Sequence, residues 1–108
     1  MTVTKNRTGS KLTVTLTGRL DNDAAPVLEK ELKPSLDGVT NLCFDFAGIE
    51  YISSAGLRVL LFAQKIMELK GNMKILNVTP AIIEVFEVTG FSDILDIEVY
   101  SSSRKRRV

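Results

Sequence analysis

Histidine and tryptophan are absent from this 108-residue chain, cysteine occurs once and proline three times. Each shortage excludes something. Without histidine there is no imidazole to take a proton from a serine or a thiol, so a Ser-His-Asp relay cannot be assembled. The single thiol, Cys43, cannot close a disulfide within the chain. A zinc site would have to be built from carboxylates around it, and no spacing suggests one. Cys43 falls inside a strand-like run, where a buried or half-buried thiol behaves as a small apolar side chain. No glycine-rich loop followed by Lys and Ser or Thr offers a phosphate cradle, so neither a metal nor a cofactor is implied. No apolar run approaches the roughly 18 residues that span a bilayer. The start, MTVTKNRTGSKLTV, carries charges without the continuous apolar stretch of a secretory signal. A reducing cytoplasm is the expected setting.

What is present suits one domain. The length fits a single core, and 44% apolar with 25% charged residues is the balance of a globular chain. Net charge is +1, yet four of the fourteen basic residues, Arg104, Lys105, Arg106 and Arg107, sit in the last eight positions. Without them ten basic residues face thirteen acidic ones, a net −3, so the body is no basic nucleic-acid binder. The chain therefore divides into a domain over 1–100 and a basic, disordered tail over 101–108 that adds solubility.

Hydrophobic periodicity orders the elements. Leu12, Val14 and Leu16 alternate with Thr13, Thr15 and Thr17, which is a strand with one buried and one wet face. A weaker strand, MTVTKNR, precedes it across a Gly9-Ser10 turn. LCFDF, MKILNV and ILDIEV are further strands; in the last, Leu95, Ile97 and Val99 oppose Asp96 and Glu98. A first helix capped by Asp21 or Asp23 runs to about Leu36, with Pro26 in its first turn. A second spans about Ser54 to Lys70. A third starts with Pro80 and stops near Thr89-Gly90. The order is β-β-α-β-α-β-α-β, an α/β fold with a mixed, mostly parallel sheet. Because the strands alternate rather than read as continuous apolar runs, all three helices are expected on one face.

The stretch IEYISSAGLRVLLFA concentrates the functional signal. A helical wheel places Val59, Leu60, Ala63, Ile66 and Met67 on a core stripe headed by Gly56. It places Ser54, Leu57, Arg58 and Leu61 on an outward stripe at i, i+3, i+4, i+7. Two leucines facing out beside a serine suggest an interface, although single exposed leucines are ordinary. Ser54 at the helix start can serve as N-cap. The same position also suits a phosphate, since free N–H groups and the helix dipole favour anions there. SAG is half of a nucleophile elbow and lacks its base, so no catalytic residue is assigned.

These segments together resemble the STAS domain family, specifically the bacterial anti-sigma factor antagonists. The likeness runs through GRLDNDAAPVLEKEL, FDFAGIEYI, SSAGLRVLL and KGNMKILNVTPAIIEVFEVTGFSDIL, from about Val3 to Val99. The resemblance implies phosphorylation of Ser54, two before Gly56, with Ser53 as the alternative. Asp21 matches a family aspartate near the phosphoacceptor. The family's usual aspartate before the acceptor is Ser53 here, its second serine is Ala55, and a later glycine is Arg58. The implied partner surface comprises Asp21, Ser53, Ser54, Leu57, Arg58 and Leu61. The implied function is partner switching: the unmodified protein binds an anti-sigma serine/threonine kinase of the histidine-kinase-like ATPase fold and frees that kinase's client. Phosphorylation releases it, and a PP2C-type phosphatase restores it. The chain would be substrate and ligand, not enzyme, with no direct contact to nucleic acid and no membrane span. Alternatives within the resemblance are a STAS subunit regulating a membrane transporter ATPase and a switch whose client is not a sigma factor.

Overall fold

A computed structural model describes residues 1–100, so the basic tail at 101–108 lies outside the described residues. The chain forms β1 (Thr2–Thr8), β2 (Lys11–Leu20), α1 (Ala24–Ser35), β3 (Asn41–Ile52), α2 (Ser54–Lys70), β4 (Asn72–Val78), α3 (Pro80–Thr89), a short 3-10 turn (Phe91–Asp93) and β5 (Ile97–Val99). The five strands lie in the order β1-β2-β3-β4-β5. Only β1 and β2 are antiparallel; the other neighbours run parallel. Each βαβ connection steps one strand along in the same direction. Right-handed crossovers then deliver successive helices to one face of the sheet.

Side-chain burial follows from that layering. Leu12, Val14 and Leu16 are buried, Thr13 and Thr15 half-buried and Thr17 exposed. The threonine row thus marks the open face. Leu42, Phe44 and Phe46 of β3 continue the buried row, and Phe46 meets Phe86 of α3, whose ring centroid lies 6.3 Å from its own. Cys43 is buried despite pointing to the open face, where its register partners are Thr13 and Lys74.

Simple alternation breaks down in two places, the end of β3 and the end of β5. Opposite β2, strand β3 carries extra residues twice: Thr15 and Thr17 pair with Asp45 and Gly48, and Gly18 and Arg19 with Ile49 and Tyr51. Each bulge re-phases the strand, so the buried set moves from Phe46 to Ile49 and then to Ile52. The last strand is shorter than the pattern ILDIEV suggests. Ile94 donates its N–H to the Phe91 carbonyl at 3.0 Å, closing the 3-10 turn, Leu95 donates to the same carbonyl at 2.9 Å, and β5 spans only Ile97–Val99. The expected apolar face holds for Leu95, which is buried, and Ile97, which packs against the core, opposite exposed Asp96 and Glu98; it fails at Val99, which is exposed.

Candidate functional site

The bulges in β3 carry Ile52 level with Leu20, its register partner at the end of β2. The two strands end together there, and α1 and α2 begin from their carboxyl ends. The Ser53 N–H donates to the Leu20 carbonyl at 2.9 Å, locking the two exits. Asp21 follows at once. Its Oδ1 accepts from the N–H groups of Ala24 at 2.9 Å and Asp23 at 3.1 Å, and its carbonyl accepts from Ala25. Of the two aspartates expected as caps for α1, Asp21 supplies the side-chain bonds. Asp23 occupies the N-cap position by backbone alone. The Ala24 N–H, helped by that of Asp23 and the Arg19 charge, holds the Asp21 carboxyl below the usual aspartate range against an opposing effect of burial.

The N-cap of α2 is Ser53, not Ser54. Ser53 has extended backbone (φ −92°, ψ 173°), and its Oγ accepts from the Gly56 N–H at 3.2 Å. It is 8% exposed. Ser54 is the first residue with helical backbone, so its side chain projects outward from the first turn; it is exposed, and its hydroxyl makes no hydrogen bond among the described residues. The reason is geometric. A capping side chain must bend back over the N–H groups it serves; the extended backbone of Ser53 lets its hydroxyl do so, whereas the helical backbone of Ser54 turns its hydroxyl away.

Leu57 also departs from its expected place. It is 6% exposed and belongs to the main core cluster. Gly56 brings the first turn of α2 so close to the strand ends that side chains on more than one stripe are covered. A β-carbon on Gly56 would lie 2.8 Å from the Leu20 carbonyl oxygen and 2.9 Å from Ile52 Cγ1. Leu57 therefore supports the helix from beneath and is not part of the outward surface. Of the outward stripe, Ser54 and Arg58 are exposed and Leu61 is half-buried.

Around these residues the surface is shallow. An open hollow of about 600 Å³ lies beside Asp21 and is walled by Arg19, Asp23, Val27 and Glu50. A smaller cleft of about 180 Å³ between α1 and α2 is lined by Pro26, Glu29, Ala55 and Arg58. Pattern reading missed a contact in the hollow's wall, where the Arg19 guanidinium stacks 4.2 Å from the centroid of the Tyr51 ring. The pair exists because the second bulge sets Arg19 against Tyr51; no periodicity announces it. Among the described residues no group of three or more His, Cys, Asp or Glu could hold a metal ion. None of the described helices is long and apolar enough to cross a membrane. The site presents an unengaged hydroxyl at a helix start, one turn before Arg58, which makes no ion pair among the described residues, and next to the strand exits where Asp21 is anchored.

Comparison with known proteins gives the family and the fold. A family model described as "Mlab, STAS domain" matches residues 3–96. BtrV of Bordetella bronchiseptica, classed as an anti-sigma factor antagonist, is 34% identical over 99 residues, covering 90% of this chain and 85% of BtrV. The anti-sigma-B factor antagonist of Bacillus subtilis is 32% identical over 89 residues, 82% of each chain. The anti-sigma factor antagonist SpoIIAA of Bacillus has the same fold. Its unphosphorylated form matches with a TM-score of 0.73 at 17% identity, over 97% of this chain and 94% of SpoIIAA. Its phosphorylated form matches at 0.71 and 19% identity, over 99% and 100%.

Proposed function

Because this chain belongs to the STAS domain family, we propose that it is an anti-sigma factor antagonist, operated as a partner switch by phosphorylation of Ser54. In the unmodified state it binds an anti-sigma serine/threonine kinase of the histidine-kinase-like ATPase fold, through a surface centred on Asp21, Ser54, Arg58 and Leu61, and so releases the kinase's client in the cytoplasm. The kinase then transfers the γ-phosphoryl group of ATP to Ser54 Oγ. The new O–P bond replaces the bond to ADP, and the hydroxyl proton passes to a base on the kinase. A PP2C-type phosphatase hydrolyses the ester and resets the switch.

The observation that carries this proposal is the division of labour between two adjacent serines. Ser53 is buried and spent on capping α2, whereas Ser54 is exposed and unengaged. A phosphate on Ser54 meets the free N–H groups and positive end of α2, which tolerate anions. It brings about −1.5 to −2 charges, so the fold survives while the surface changes sign. A partner that had buried this hydroxyl would then face an unpaired charge, which typically weakens a complex by about 2–5 kcal/mol. That corresponds to roughly 30- to several-thousand-fold in Kd. SpoIIAA, with the same fold, has been solved in both unphosphorylated and phosphorylated forms.

The test is incubation with the cognate kinase and ATP, followed by mass spectrometry of the tryptic peptide 31–58, since the Lys33-Pro34 bond resists trypsin. Label on Ser54 and much weaker kinase binding by Ser54→Asp are expected. Label on Ser53 alone, or unchanged binding by Ser54→Asp, would overturn the assignment. Capture of a transporter ATPase from native membranes in place of a kinase would point to the transporter alternative.

A further inference from the structure

Arg58 is exposed, stands one turn beyond Ser54 on α2, and takes part in no ion pair among the described residues. It lines the small cleft between α1 and α2 that Glu29 lines from the other side. Glu29 does not hold it; that carboxylate pairs with Lys33 at 3.5 Å. No other basic residue occurs between Ser53 and Gln64. Side chains on a helix tilt toward its N-terminus, so Arg58 leans back over the turn that Ser54 begins. An anion at i with a cation at i+4 is the favourable order for such a pair.

We propose that Arg58 is a built-in clamp for a phosphate on Ser54: once the ester forms, the guanidinium pairs with its oxygens within the same helix. This rests on Ser54 being the residue modified. The guanidinium fork matches phosphate geometry and stays charged throughout the relevant pH range. The clamp does two things. It offsets the repulsion between the phosphate and the carboxylates of Asp21 and Asp23 at the neighbouring helix start. It also withdraws Arg58 from the surface a partner reads, so one modification alters two adjacent charges.

The experiment uses the full chain with phosphoserine inserted genetically at position 54, so that no kinase is needed. The phosphorus NMR signal is followed through the second ionisation of the ester. A cation within reach favours the dianion, so the second pKa in the otherwise unaltered chain should lie below that in Arg58→Gln. The strength of an exposed ion pair sets the gap at about 0.2–0.7 of a pH unit. The gap should narrow in 1 M salt, and Arg58→Lys should recover part of it. Unphosphorylated Arg58→Gln should melt with the parent, and phosphorylation should raise Tm less in that variant. Coincident titrations of parent and Arg58→Gln at low salt would overturn the clamp. That outcome would leave kinase labelling of Ser54 standing, and a failure of labelling would leave this titration unaffected.

Discussion

Gly56 and Leu20 approach so closely that a β-carbon on the glycine would lie 2.8 Å from both the carbonyl oxygen and Cγ of the leucine. This contact seats α2 on the strand ends and fixes where Ser54 emerges. Gly56→Ala therefore sets two effects against each other. Alanine favours a helix interior by about 1 kcal/mol, but overpacking against a backbone carbonyl costs about 1–3 kcal/mol. Three close contacts, one of them to main chain, put this site at the upper end. A net loss of about 1–2 kcal/mol is expected from the urea midpoint. A variant as stable as the parent would show that the helix can lift off without cost.

The two serines should separate cleanly by mutation. Ser53→Ala removes the cap on the Gly56 N–H and should cost about 1 kcal/mol. Ser54→Ala removes an exposed hydroxyl with no partner among the described residues, and should stay within about 0.5 kcal/mol of the parent. Equal losses in thermal melts of the two variants would contradict the capping assignment.

Asp21 provides a pH signature. The N–H of Ala24 is the largest influence holding its carboxyl below the usual range. A carboxylate depressed in the folded state contributes stability above the ordinary aspartate pKa of about 3.9. That contribution is lost as the pH falls from there through the folded value. Asp21→Asn keeps an oxygen for the cap but cannot ionise. The gap in Tm between parent and Asp21→Asn should be widest above about pH 4 and should close on further acidification. A gap constant from pH 7 to pH 2 would mean that the ionised form is not favoured by folding.

Much of this geometry is legible because it rests on short periods. The alternation from Leu12 to Thr17 reports a half-buried strand directly, and Pro80 and Gly90 bracket α3 by their backbone preferences. What escapes depends on tertiary register. The bulges of β3 re-phase the strand between Phe46 and Ile52, so the Arg19–Tyr51 stack has no trace in periodicity. The cap lies one residue earlier than expected because SerSer reads equally well in either register. Only the extended backbone and burial of Ser53 decide between them. Leu57 is misplaced by a helical wheel because the wheel assumes one buried stripe, whereas the start of α2 is sunk into the ends of the sheet.

Leu57 and Leu61 offer the sharpest remaining contrast, since both fall on one stripe by spacing and only one is buried in the core. Leu57 is 6% exposed and packed within the main cluster. Truncation to alanine leaves a cavity beneath the first turn of α2 and should cost about 2–5 kcal/mol of folding stability. Leu61 is half-buried, so Leu61→Ala should cost less than about 1 kcal/mol, only part of its side chain being removed from water. Its effect should appear instead in binding. If the surface between Ser54 and Leu61 receives the kinase, Leu61→Ala should weaken the complex at least several-fold in calorimetric titration, while its melting curve stays close to the parent's. Leu57→Ala should show the reverse order, with a large drop in Tm and binding altered only as far as unfolding depletes the protein. A large drop in Tm for Leu61→Ala with kinase affinity unchanged would remove Leu61 from the partner surface.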